Sequence, residues 1–296
     1  MTQRRVAAAL AILLAAAAGL SLLHVLAARP EPVIRAQSRQ LGVLPGLSKL
    51  SAAQLAALPE ARYDAVIAAL LPAAGAADAD TAYRLKKDTV VYAADRATPT
   101  ARLAARDFLG EPSVVVPVES SGDWLRVLTP ARQRLPSTGA NSAGTNSAGT
   151  NSLGALAPAQ TSAWLRADSL SSPTMLVSRI IVSVSAQTLR IIGVGNRTWP
   201  VGVGAPGTPT PVGVTGYLQA RYRDAAQGQA EHPIQLTSLH STAADEPFGG
   251  NDGGLIGIHF QASASGARSH GCIRVPLEAL AAVDALPLGT LITIEG

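Results

Sequence analysis

Apolar and polar positions change their pattern four times along the chain. Val6 to Ala28 is unbroken apolar sequence apart from Ser21 and His24, and Arg4 and Arg5 precede it. These 23 residues would make a helix of about 35 Å, long enough for a hydrocarbon core of about 30 Å. The paired arginines predict an N-inside orientation, with everything after Arg29 outside. A retained anchor fits the length better than a cleaved signal peptide, although Ala27 and Ala28 offer a peptidase small residues. Ser48 to Leu71 carries Leu50, Leu55, Leu58, Val66, Ile67 and Leu70 at roughly helical spacing. With Pro59 as a break, this predicts two short helices within a spacer over residues 30–80.

From Thr81 the period shortens. Thr89–Tyr92, Ser113–Val118 and Trp124–Leu128 read as strands, with a Gly122-Asp123 turn before the tryptophan. Residues 139–155 hold the repeat NSAGTNSAGTNSLGA, which cannot bury a core and predicts a solvated loop. Beyond Met175, β-branched runs at 177–184, 188–194 and 197–203 predict three successive strands. Further strands are expected at 212–222, 234–238, 255–260 and 290–294. A single helix is predicted after Pro276, with Leu277, Leu280 and Val283 facing inward.

Composition narrows the function. Charged residues make up 15% of the chain, aromatics 4%, and the net charge is +4. The arginines are scattered, so a nucleic-acid partner, which needs a concentrated basic face with stacking aromatics, is not expected. The chain has one cysteine. It cannot form an internal disulfide, and a free thiol outside the cell invites oxidation.

That cysteine lies in the chain's most chemically dense stretch, Ile256-Gly257-Ile258-His259-Phe260, a short loop, then Ser269-His270-Gly271-Cys272-Ile273-Arg274. A thiol becomes a useful nucleophile when a base or positive charge favours its thiolate. His259 closes a predicted strand and can return beside Cys272, while Arg268, His270 and Arg274 add donors and positive field. Gly271 leaves room for backbone N–H groups to reach a reacting carbonyl oxygen, as an oxyanion hole requires. Nucleophile, base and oxyanion donors from one stretch predict acyl transfer. A metal site from His259, His270 and Cys272, completed by His240 or Asp252, is the alternative reading, but closed-site spacing is absent. His232 and His240 otherwise read as ordinary strand or loop residues, Trp124 and Trp164 as core.

The IHF…SHGCIR pattern resembles the active-site signature of the L,D-transpeptidases. Upstream, GAPGTPTPVGVTGY (204–217) is similar to that family's Thr-Pro-Thr stretch, and PFGGNDGGLIGIH (247–259) to its approach to the histidine. The order of GDWLRV and AWLRADSL within 81–170 resembles bacterial SH3-like modules. The fold class expected is mainly β: an L,D-transpeptidase-type catalytic domain over 175–296 with one or two short helices. A small SH3-like barrel (81–170), the spacer (30–80) and a membrane helix (1–29) would precede it. By position, the resemblance implies Cys272 as nucleophile and His259 as base, oriented by the Phe260 carbonyl. It implies that Ser269, His270 and Gly271 support the oxyanion hole with Cys272, and that Arg274 lies at the donor-binding edge.

Two departures stand out. The loop from Phe260 to Arg268 is shorter than usual, and Phe260 replaces a smaller residue. The implied reaction is formation of 3→3 cross-links in peptidoglycan from a tetrapeptide stem, without metal or organic cofactor. Carbapenem-type β-lactams are the implied inhibitors, and the envelope the implied location. A hydrolytic relative of the same fold and a non-catalytic wall-binding protein are the rival readings.

Overall fold

A computed structural model of the chain describes residues 50–73, 79–137, 157–243 and 254–296. The expected membrane span, the first part of the spacer, the repeat loop and residues 247–253 lie outside the described residues. Among the described residues, no helix is long and apolar enough to cross a membrane.

The first element among the described residues, α1 (Ala52–Ala56), starts with a capping box. Ser51 Oγ accepts from Gln54 N, and Gln54 Oε1 accepts from Ser51 N. The second helix expected before Leu71 does not form. Two of its backbone donors go to distant partners instead, Ala61 N to Arg102 O on the strand Pro99–Leu103 and Ile67 N to Arg132 O in the segment after the strand Trp124–Thr129, both at 2.8 Å. Ala61, Ile67 and Leu70 are thereby buried in the core of the first β module. Tertiary packing overrides the helical spacing here.

That module contains β1 (Leu71–Pro72), β2 (Thr81–Leu85), β3 (Thr89–Tyr92), β4 (Pro99–Leu103) and β5 (Val114–Val115). It continues with β6 (Pro117–Ser121), β7 (Trp124–Thr129), β8 (Thr161–Arg166) and β9 (Leu170–Met175). One sheet runs β4-β3-β8-β7-β6, with β1 also on β8, and a second runs β5-β2-β9. Trp124 and Trp164 are core, as expected, beside Tyr92. Arg96 lies 3.9 Å over the Trp164 ring.

The second module comprises β10 (Arg179–Ser183), β11 (Thr188–Ile192), β12 (Arg197–Pro200), β13 (Val203–Gly204) and β14 (Val214–Asp224). After these come β15 (Gln229–His240), β16 (Leu255–Phe260), β17 (Ala267–Ser269), β18 (Ile273–Val275), α2 (Leu277–Asp284) and β19 (Leu291–Glu295). Its main sheet runs β12-β11-β10-β19-β14-β15-β16-β18, and β13 pairs separately with β17. Helix α2 turns Ala279, Leu280 and Val283 into the core, whereas Leu277 is 48% exposed. The inner stripe is therefore carried by Ala279, one turn before Val283, and not by the expected Leu277.

The two modules share interior. Ala82, Val116 and Leu128 from the first pack with Tyr217 and Leu291 from the second. A buried polar chain crosses beside them. Tyr217 N donates to Ser238 Oγ, Ser238 Oγ donates to Gln160 Oε1, and Gln160 Nε2 donates to Thr129 O. Every member is satisfied, so the chain fixes the junction without leaving a lone buried dipole.

Candidate functional site

The parallel pair β16 and β18 places both candidate side chains, His259 on β16 and Cys272 immediately before β18. Ile258 pairs with Ile273 and His259 with Arg274. Ile256, Ile258 and Ile273 are fully buried on the core side, each worth roughly 1.5–3 kcal/mol of burial. Strand alternation then sends Gly257, His259 and Cys272 to the other face. Continuing that register sets Cys272 opposite Gly257, two residues before His259, so His259 and Cys272 are diagonal neighbours there.

The thiol sits over a residue with no side chain. Gly257 N donates to Cys272 Sγ at 3.4 Å, and the thiol donates to Leu255 O at 3.7 Å. A Cβ on Gly257 would stand 3.9 Å from the sulfur and 3.1 Å from Ile234 Cγ2. A glycine within a strand marks such a close approach.

The turn before Cys272 is fixed from below. Gly271 has φ +101°, and a Cβ there would meet Ile256 Cδ1 at 2.8 Å, so only glycine fits. Thr210 Oγ1 donates to Gly271 O at 2.8 Å and accepts from Gly204 N at 2.9 Å. Ser269 O accepts from Thr208 Oγ1 at 3.0 Å and from Ala205 N at 2.8 Å. Ser269 itself is buried, and its hydroxyl donates to Cys272 O. Its side chain braces the turn, while His270 is exposed.

His259 is half-buried, with Nδ1 3.1 Å from Phe260 O. That carbonyl selects the Nδ1–H tautomer and leaves the Nε2 lone pair free. Burial holds the His259 pKa below its ordinary 6.5; the Phe260 contact opposes this and the Arg274 charge reinforces it. Cys272 keeps some solvent exposure, yet the protein packed round its sulfur pushes the thiol pKa up. The Gly257 N–H and Arg274 pull it back only in part. The resting pair is therefore neutral thiol and neutral imidazole, which suits proton transfer during attack rather than a preformed ion pair.

Residues the sequence did not single out complete the site. Gln229, at the start of β15, is buried; its Nε2 donates to Phe260 O at 3.1 Å and lies 3.5 Å from His259 Nδ1. Tyr222 on β14 is within electrostatic reach of Cys272. Phe108 of the first module stands 6.2 Å from the Tyr222 ring and 4.6 Å from Tyr63. His232 packs edge-on to Phe260 at 4.9 Å. Only the Gly257 signal, a glycine two positions before the histidine, was open to sequence reading. The rest depends on tertiary contacts: Tyr222, Gln229 and His232 come from the β14–β15 hairpin, Tyr63 and Phe108 from the first module.

Among the described residues, His, Cys, Asp and Glu side chains form no group of three able to hold a metal. His259, His270 and Cys272 do not converge in that way. His240 is instead a buried residue of the module junction, its Nε2 3.0 Å from Tyr63 O.

Comparison with known proteins adds a family. The model of the YkuD family, L,D-transpeptidase catalytic domain, matches residues 178–294. No curated protein matches the chain. Among solved structures, L,D-transpeptidase 1 of Mycobacterium tuberculosis shares 18% identity over 46% of this chain and 78% of its own, with a TM-score of 0.29. An L,D-transpeptidase from Mycobacterium smegmatis shares 16% over 58% and 91%, with a TM-score of 0.31. Another from M. tuberculosis H37Rv shares 14% over 78% and 98%, with a TM-score of 0.34. These likenesses are too slight to bear on the assignment, which rests on the family match. The C-terminal part of the chain, residues 178–294, is a YkuD-family L,D-transpeptidase catalytic domain.

Proposed function

We propose that the protein is a peptidoglycan L,D-transpeptidase that forms 3→3 cross-links through a thioester on Cys272. The observation that carries this reading is the diagonal placement of Cys272, immediately before β18, and His259 on β16, each held by a backbone group of β16. His259 Nε2 takes the thiol proton as Sγ attacks the carbonyl between the L-centre of the stem's third residue and its terminal D-alanine. The C–N bond breaks, and D-alanine leaves as the amine with the proton from His259. An amine of a second stem then attacks the thioester, gives its proton to His259, and releases Cys272 as thiol. Backbone N–H groups of the His270-Gly271-Cys272 turn serve the developing oxyanion, while Ser269 and the Thr208–Thr210 segment brace that turn. Arg274 lies at the edge of the donor site, its charge favouring thiolate over thiol.

The remaining organisation follows the sequence reading. Residues 1–29 anchor the chain, 30–80 space it from the membrane, and 81–170 form an SH3-like module. The catalytic domain (175–296) faces the wall outside the cytoplasmic membrane, where carbapenem-type β-lactams acylate Cys272. Incubation with disaccharide-tetrapeptide and mass analysis of the products tests the reaction. Dimers lacking one D-alanine, lost in a Cys272→Ser variant, are expected. Monomeric tripeptide as the sole product would assign a hydrolase, and unchanged substrate would favour a non-catalytic wall-binding protein.

A further inference from the structure

Gln229 is a buried polar residue at the tip of the β14–β15 hairpin, next to the proposed base and without a role in the chemistry above. It is 7% exposed. A short 3₁₀ turn (Ala225–Gln227) and Gly228 in the left-handed region (φ 69°) bring it back opposite Asp224. Its Nε2, His259 Nδ1 and Phe260 O form a triangle with sides of 3.1, 3.1 and 3.5 Å, the carbonyl at the apex. The amide orientation follows from those partners, because an oxygen in the Nε2 position would face the Phe260 oxygen. Gln229 Oε1 is buried with no hydrogen-bond partner, and leaving such a group unpaired carries an uncompensated desolvation penalty. A residue placed here for packing alone would gain by being apolar.

A backbone carbonyl has two lone pairs. His259 Nδ1–H uses one, and the Gln229 amide uses the other. The second donor fixes the carbonyl from the hairpin side and shares its negative charge, so the imidazolium gains less from it. We propose that Gln229 is a positioning residue that clamps the Phe260 carbonyl, setting the tautomer, orientation and basicity of His259 from the hairpin tip. The proposal deepens the reading of His259 as the base and rests on it.

The charged and titratable groups facing His259 are specific. On β18 they are Arg274 and the preceding Cys272. The hairpin brings Tyr222, Asp224 and His232 to this region. Helix α2, packed on β16, carries Glu278 and Asp284, the latter held by Gln235 and Arg221. None of these lies on the Phe260 carbonyl, so changing residue 229 isolates the clamp.

The test is the His259 pKa, read from imidazole resonances of the full chain by NMR, beside the rate of carbapenem acylation against pH. Gln229→Glu sets a carboxylate next to Nδ1 and is expected to raise the His259 pKa by about 1–3 units, moving the acid limb of acylation upward by the same amount. Gln229→Met removes the second donor. It is expected to raise the pKa less and to slow acylation about three- to tenfold at the pH optimum, with inhibitor affinity unchanged. Gln229→Asn, too short to reach the carbonyl, should behave as the Met variant does. Folded Glu and Met variants with the wild-type His259 pKa would overturn the clamp. If the Glu variant does not fold, the Met and Asn variants decide on the same readout. A wild-type protein that resists acylation while its His259 pKa still responds to residue 229 would refute the reading of His259 as base and leave the clamp standing.

Discussion

At the scale of single residues, the site works against its own burial. Cys272 is pushed toward the protonated thiol and His259 toward the neutral imidazole, so neither is charged at rest. A base that stays neutral in mild acid extends activity downward. The acid limb of carbapenem acylation should therefore lie below pH 6.5, the ordinary histidine value, with a plateau above it. A limb above 6.5 in a stopped-flow pH profile would contradict this sign. His259→Ala should cost about 10²–10⁴-fold in acylation rate, whereas His270→Ala should cost far less, its side chain being exposed. Equal losses at both positions would reassign the base. Cys272 and His259 were legible as candidates because residue type and local spacing mark them in the sequence. Gln229 was not, since a glutamine 30 positions from His259 carries no local mark of meeting it.

At the scale of elements, the short turn from Ser269 to Cys272 depends on a segment 61 residues earlier. Thr210 Oγ1 bridges Gly204 N and Gly271 O, and both groups would be left buried and unpaired without it. Thr210→Val should destabilise the domain by about 1–3 kcal/mol in urea denaturation, and slow acylation through a loosened turn. Full acylation with that stability loss would separate the brace from the chemistry. The strands of this domain were readable from β-branched runs and turn residues, and β16 (Leu255–Phe260) emerges with the boundaries expected. Strand β15 (Gln229–His240) is longer than the expected 234–238, because Ala230 to Pro233 is exposed or half-buried and burial writes no alternation there. The helix expected between Pro59 and Leu71 failed for the opposite reason: apolar spacing was present, but Ala61 and Ile67 found backbone partners about 40 and 65 residues away, at Arg102 and Arg132.

At the scale of the whole molecule, the two β modules are joined by buried groups, and His240 is the most pH-sensitive of them. It is fully enclosed near Arg132, and burial lowers its pKa to about 3. The unfolded chain takes up the proton first as pH falls. Stability from this residue is thus complete above pH 6.5 and lost progressively toward pH 3. That amounts to about 2 kcal/mol between pH 7 and pH 5, measurable by urea denaturation, and His240→Gln should flatten the slope whatever its effect on stability at pH 7. A slope unchanged by that substitution would place the acid sensitivity elsewhere. The union of modules was beyond sequence reading, since the Gln160–Ser238 and His240–Tyr63 contacts join residues 78 and 177 positions apart. The central claim, that Cys272 is an acyl-transfer nucleophile, concerns the chain's single thiol, so any thioester has one possible address. Intact-mass measurement of the reduced, folded full chain under saturating carbapenem tests it most directly. A gain of one inhibitor mass in the wild type, absent from Cys272→Ser, is the expected result; an unmodified wild-type mass would contradict it.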